Sequence, residues 1–313
     1  MNSTCRAAID CGTNSTRLLI IDQEGATVRR EMRITRLGQG VDATGELSEQ
    51  ALARTFAVLR EYRSLCDDHG VHQGRLAATS AARDAANGPS FLEEASRIAG
   101  FRAEIISGIE EGELSFAGAM ADLEPSGGDD LVLDIGGGST EIVMVRGANL
   151  KAYSMQAGCV RMTERALKSD PVLSEEIELA RRLIAEQIDL AVVAIPELEE
   201  LTPGSRLVGL AGTVATLAMM DLGREEYDRD AVHHHWLGLD RISWWAERLA
   251  AMTIAERMEV PGMVEGRQDV ILGGILVLEA VLLRLGLSGC LSSEADILDG
   301  LAASVSANEE QAS

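Results

Sequence analysis

Asp134-Ile135-Gly136-Gly137-Gly138-Ser139-Thr140-Glu141 lies between two apolar runs, Leu131-Val132-Leu133 and Ile142-Val143-Met144-Val145. Both runs have the composition of buried strands, so the segment reads as a tight turn joining them. A P-loop or a dinucleotide fingerprint needs a helix after its glycines, and neither fits here. What remains is a backbone cradle. The glycines let the chain approach an anion closely and reach positive φ without a Cβ clash. Their N–H groups, with the Ser139 and Thr140 hydroxyls, can form an anion-binding nest. Asp134 and Glu141 stand at the two ends, where carboxylates repel a phosphate unless a cation lies between. Mg²⁺ is a cation held by one or two carboxylates, waters and phosphate oxygens. The plainer reading, a glycine-rich hairpin with exposed acids, accounts less well for three glycines set between acids and apolar runs.

The pattern occurs twice. Ala8-Ile9-Asp10-Cys11-Gly12-Thr13-Asn14-Ser15-Thr16-Arg17-Leu18-Leu19-Ile20 aligns without a gap on Val132 to Met144, matching Asp10 to Asp134, Gly12 to Gly136, Ser15 to Ser139 and Thr16 to Thr140. The copies are too far apart for a solenoid repeat. They point to two similar domains, each opening with a strand–turn–strand clamp. Two clamps facing one cleft would grip a phosphate chain from both sides.

Composition narrows the function. The 313 residues allow about two domains. A hydrophobic share of 46% supports proper cores, while 3% aromatics offers no stacking platform for single-stranded nucleic acid. A formal charge of −22 rules out bulk attraction to a nucleic-acid backbone, so an anionic substrate needs local arginines and a metal. The start of the chain lacks the apolar core of a signal peptide, and Val270–Leu285 is too short and too charged to span a bilayer. Five cysteines without Cys-x-x-Cys spacing fit a reduced, cytoplasmic protein. Cys11 reads as a small buried residue.

Strands and helices alternate in both halves. In the first, Thr27–Thr35 is a third strand and Leu47–Asp68 a helix with Ser48 as its cap. Arg75–Thr79 is a strand, Ser90 starts a helix that Gly100 closes, Ala103–Ile106 is a strand and Glu110–Ala121 a helix. Pro125-Ser126-Gly127-Gly128 marks a boundary. In the second half, Asn149–Met155 is a strand, Ser174–Ala194 a helix and Leu207–Leu210 a strand. Asp240–Ala251 and Asp269–Leu285 are helices, with a capping box at Thr253-Ile254-Ala255-Glu256 between them. The expected domains are 1–123 and 124–293, with a last helix over 294–306 packing back on the first and a flexible tail over 307–313.

Ala8 to Ser15, Thr79-Ser80-Ala81-Ala82-Arg83-Asp84-Ala85-Ala86-Asn87, Ser107-Gly108-Ile109-Glu110-Glu111 and Asp134 to Glu141 occur in this order. Over essentially the whole chain they resemble the Ppx/GppA family of exopolyphosphatases and guanosine-pentaphosphate phosphohydrolases. The resemblance implies an α/β, two-domain actin/hexokinase/heat-shock-chaperone-like (ribonuclease H-like) fold with an interdomain cleft, in its short form. It implies hydrolysis of inorganic polyphosphate or of pppGpp, with Mg²⁺ or Mn²⁺ as cofactor, no nucleic-acid or membrane partner, and a homodimer.

The resemblance also assigns residues. Glu111 takes the position of the catalytic base, which orients a water in line with the leaving oxygen. Glu110 competes with it, but neighbours on a helix point about 100° apart, so only one can serve. The structural alternative is an acid favoured by a helix N-terminus. Arg83 matches an arginine on the transferred phosphoryl group; its alternative is an ion pair with Asp84. Gly12, Thr13, Asn14 and Ser15 match one phosphate loop, and Gly136, Gly137, Gly138 and Ser139 the other. Asp134 and Glu141 match the metal carboxylates. Gly212 and Thr213 resemble a third motif. Arg267 and Arg161 are candidates for distal phosphates, with surface ion pairing as the alternative. His233-His234-His235 invites a zinc reading, yet consecutive residues diverge and no Cys or carboxylate stands at ligand spacing. A sugar kinase also opens with Asp-x-Gly-Thr but needs an Asp base and a nucleotide pocket. A non-catalytic sensor has no use for a water-orienting Glu111.

Overall fold

The computed structural model of the protein describes residues 5–310, of which 306–310 by their backbone alone. The chain divides into two compact units, one of Met1–Gly118 with Ile297–Ser313 and one of Ala119–Asp296.

The first unit opens with β1 (Arg6–Cys11), β2 (Ser15–Ile21) and β3 (Thr27–Ile34), an antiparallel meander. A helical turn α1 (Val41–Thr44) and the long helix α2 (Glu49–Asp68) follow. Ser48 caps α2, its hydroxyl accepting from the Ala51 N–H at 3.3 Å. β4 (Gln73–Ala78) then pairs in parallel with β1. After α3 (Ser80–Asp84) and α4 (Gly88–Ala99), β5 (Arg102–Ile105) pairs in parallel with β4. α4 starts at Gly88, with Pro89 in its first turn, so Ser90 lies inside the helix and is not its cap. A Cβ on Gly88 would stand 2.1 Å from the Ala82 carbonyl oxygen; that close approach fixes the start. α5 (Gly108–Ala119) follows β5.

Strand alternation decides what each face covers. Ile9, Leu18, Ile20 and Leu76 point to one side, where Leu59 and Tyr62 of α2 and Phe91 of α4 complete a core. Ala8, Leu19 and Ala77 point to the other and pack on Ile297, Leu298, Leu301 and Ala302.

The second unit repeats the scheme with β6 (Asp130–Ile135), β7 (Thr140–Arg146) and β8 (Asn149–Met155), again antiparallel. α6 (Cys159–Ala166) and α7 (Ser174–Ala194) precede β9 (Arg206–Leu210), which is parallel to β6. Then come α8 (Ala211–Leu222), α9 (Arg229–Val232), β10 (Trp236–Gly238), α10 (Leu239–Ala250), α11 (Ile254–Met258) and α12 (Ile271–Leu285). β11 (Gly289–Ser292) is parallel to β9, and β10 adds to it antiparallel. α13 (Ile297–Glu310) supplies the residues that cover the first sheet. Its backbone continues past 307, where the sequence reads as a tail; 311–313 lie outside the described residues.

The sheet orders are β3-β2-β1-β4-β5 and β10-β11-β9-β6-β7-β8. Read from β8, the second is the first with one strand added. This is the ribonuclease H-like α/β unit of actin-type folds, present twice, as the duplicated turn requires. Among the described residues no helix is long and apolar enough to cross a membrane.

Candidate active site

In the first unit the register pairs Asp10 with Arg17 and Cys11 with Thr16, leaving Gly12, Thr13 and Asn14 as the turn. Gly12 N–H donates to the Ser15 carbonyl at 3.0 Å. The segment after β3 backs this turn: Thr35 and Arg36 N–H donate to the Asn14 carbonyl (3.1 and 2.9 Å), and Gly38 N–H to the Thr13 carbonyl (2.9 Å). The turn is therefore rigid. Asn14 is buried, and its Nδ2 makes no hydrogen bond among the described residues. Burial, reinforced by the Asp10 carboxylate and opposed by a hydrogen bond with Thr16, pushes the Cys11 thiol far above its ordinary range, which removes it as a nucleophile.

Thr79 N–H donates to the Cys11 carbonyl at 3.3 Å, so α3 starts against the end of β1. Its last turn carries Arg83. Its neighbour Asp84 accepts from Ser80 Oγ at 3.3 Å. Arg83 Nη1 donates to the Ile106 carbonyl at 2.9 Å and to Glu111 Oε2 at 3.3 Å. Its Nη2 is buried without a hydrogen bond among the described residues. Glu111 is only 7% exposed, whereas Glu110 is half-buried and pairs with Arg75 at 2.5 Å. The two adjacent acids diverge as the helix demands, and only Glu111 meets Arg83.

In the second unit Asp134 faces Glu141 directly across the ladder, and Ile135 faces Thr140. Both carboxylates are buried, and Ser154 Oγ donates to Glu141 Oε1 at 2.6 Å. Two acids on one face of one hairpin supply the hard oxygen donors that Mg²⁺ and Mn²⁺ take, so the residues fit such an ion. The glycines act differently from the expectation. Neither Gly12 nor any of Gly136, Gly137 and Gly138 lies in the left-handed region. Close approach is the constraint: a Cβ on Gly136 would stand 3.0 Å from the Ser139 carbonyl oxygen, and one on Gly158 2.3 Å from that of Gly137. The start of α6 is thereby seated on the turn, with Cys159 N–H donating to the Gly136 carbonyl (2.9 Å) and Val160 and Arg161 N–H to that of Gly137 (2.9 and 3.0 Å).

Arg267 is buried and lies flat on Gly212, where a Cβ would come within 1.9 Å of its guanidinium. Thr213 is buried beside it, and the Cys159 thiol hydrogen-bonds with Thr213 and senses the Arg267 charge. The turn, the start of α6, Gly212, Thr213 and Arg267 thus form one contiguous site. Ala211, at the head of α8, holds φ 65°, a left-handed conformation that costs an alanine about 1–2 kcal/mol. Arg161 is buried rather than a surface residue, and its Nη1 donates to Gln156 Oε1, a tie to the end of β8.

The sequence missed one carboxylate. Asp122 lies with His233 and His234 so that a ligand atom from each falls within 4.8 Å of the others. Yet Glu294 N–H donates to His233 Nδ1 at 3.1 Å, which places the ring proton on Nε2, where it is given to Asp122 Oδ2 at 2.7 Å. A metal-bound imidazole carries its proton on the other nitrogen. The cluster is a hydrogen-bonded clasp, and burial lowers the His234 pKa.

The model of the Ppx/GppA phosphatase family matches residues 19–304. Exopolyphosphatase 2 of Mycobacterium tuberculosis is 42% identical over 96% of this chain and 98% of its own length. An exopolyphosphatase-like protein of known structure superimposes with a TM-score of 0.90 at 35% identity, covering 98% of this chain and 100% of that one. An exopolyphosphatase from Cytophaga hutchinsonii does so with 0.87 at 26% identity, over 97% and 98%. The chain belongs to the Ppx/GppA phosphatase family.

Proposed function

We propose that this protein is a metal-dependent exopolyphosphatase, releasing orthophosphate from the ends of inorganic polyphosphate. The observation that carries the reading is the Arg83–Glu111 pair. Arg83 is anchored through Nη1 to Ile106 and Glu111, and its buried Nη2 has no hydrogen bond among the described residues. A phosphoryl oxygen completes that guanidinium, and the fork then stabilises charge on the equatorial oxygens. Glu111 orients a water on the terminal phosphorus and takes its proton as the new P–O bond forms. The bridging P–O bond breaks, and the shortened chain leaves with the bonding pair on its oxygen. Asp134 and Glu141 would hold Mg²⁺ or Mn²⁺, whose charge offsets that of the phosphate oxygens. Asn14 Nδ2 and the Arg267 guanidinium supply further phosphate contacts.

Arg83→Lys is expected to lose about tenfold or more in turnover, because an ammonium cannot reproduce the fork. Full turnover in that variant would reduce Arg83 to a local charge. The function itself is tested by kcat/KM for orthophosphate release from polyphosphate and from pppGpp, measured side by side without any acceptor. Polyphosphate is expected to be the better substrate, as the sparse aromatic content offers little for a base to stack on. Release from pppGpp alone would overturn the assignment while keeping the chemistry.

A further inference from the structure

Arg257, in α11, is 2% exposed. Taking a guanidinium out of water is costly unless a carboxylate and hydrogen bonds offset the loss. Among the described residues no carboxylate lies within ion-pair distance of Arg257. Burial lowers its pKa, and the charges of Asp170 and Asp269 offset only part of that. What the guanidinium does hold is backbone. Nε donates to the Leu249 carbonyl at 2.9 Å and Nη1 to the Gln268 carbonyl at 3.4 Å. Nη2 is buried and makes no hydrogen bond among the described residues. If the site needed only filling, an apolar side chain of similar volume would serve as well at less cost.

The Gln268 carbonyl belongs to the residue after Arg267. Arg267 stands in the connector between α11 and α12, which contains no helix or strand and turns back at Gly262 (φ 88°) and Gly266 (φ 83°). Turn hydrogen bonds hold its backbone: Arg267 N–H donates to the Val264 carbonyl at 3.0 Å, and Gly266 N–H to Gln268 Oε1 at 2.7 Å. Leu249, by contrast, lies at the end of α10, a helix packed on α12. Nε and Nη1 of Arg257 therefore join a packed helix end to the backbone beside Arg267.

We propose that Arg257 is a positioning residue: it ties the connector to α10 and so keeps the Arg267 guanidinium flat on Gly212, ready for phosphate. The inference rests on the phosphate role proposed for Arg267, and it adds the residue that fixes Arg267 in place. A connector without the tie would have to be ordered when substrate binds, and that ordering weakens binding.

The test uses Arg257→Met in the full chain, with two readouts. Amide hydrogen exchange over residues 264–271 is expected to quicken about tenfold or more, while the later turns of α12 keep the parental rate. KM for polyphosphate is expected to rise about fivefold or more, with kcat changed far less. In an Arg267→Gln background, adding Arg257→Met is expected to raise KM no further. Unchanged exchange, or exchange quickened equally along α12, would overturn the proposal, the second because it marks a general loss of stability. A full further rise of KM in the double variant would also overturn it, since Arg257 would then act independently of Arg267. Should Arg257→Met fail to fold, Arg257→Lys, which keeps the charge without the planar fork, replaces it with the same outcomes. If Arg267→Gln alone keeps the parental KM, the phosphate role of Arg267 falls, and the exchange result by itself decides whether Arg257 holds the connector.

Discussion

Glu111→Gln is expected to fold like the parent, to bind polyphosphate, and to lose about two or more orders of magnitude in turnover. The substitution keeps the volume of the side chain and an acceptor oxygen for Arg83, whose Nη1 lies 3.3 Å from Glu111 Oε2. It removes the ability to take a proton from water. Because Glu111 is 7% exposed, no bulk water or buffer base has easy access to replace it. Glu110→Gln is the control. Glu110 is held by Arg75 at 2.5 Å on another side of the helix, so its loss is expected to leave turnover close to that of the parent. Inactive Glu110→Gln with active Glu111→Gln would reverse the assignment.

Removal of divalent cation is expected to abolish turnover, and Mg²⁺ or Mn²⁺ to restore it. Asp134→Asn and Glu141→Gln are each expected to raise the required metal concentration by about tenfold or more. A second readout does not depend on activity. Like charges directly opposite in a ladder destabilise it, and an ion bound between Asp134 and Glu141 would offset that repulsion. Metal is expected to raise the Tm of the parent through binding to the native state alone. In Glu141→Gln the metal-free Tm is expected to rise and the metal-dependent increment to shrink. Full turnover in excess chelator would take the ion out of the mechanism.

The hairpins were legible because both signals, apolar runs and a turn of small residues, are local. The doubled alignment then implies a duplicated sheet, and the two strand orders carry it. Ser174–Ala194 is readable to the residue because its apolar face repeats over many turns. Short elements are not. β10 has three residues, and its pairing with β11 comes from far along the chain. The role of α6 is likewise invisible, since Gly158 matters only for its approach to Gly137. Long-range partners explain the other gaps. Nothing near His233 announces Asp122 or the Glu294 N–H. Ala211 takes a positive φ that its residue type disfavours, so only the folded backbone reveals it. The Arg17–Asp10 contact could have been found: the alignment places Arg17 over Glu141, and a short hairpin turn fixes which side chains oppose one another.

The central claim is stepwise hydrolysis at chain ends, and the size distribution of a long polyphosphate early in the reaction tests it most directly. Chains resolved on a gel at low conversion are expected to remain near full length, with orthophosphate as the sole small product and intermediate lengths arising only late. Abundant mid-length fragments while most substrate is intact would mean cleavage at internal bonds and would contradict the account.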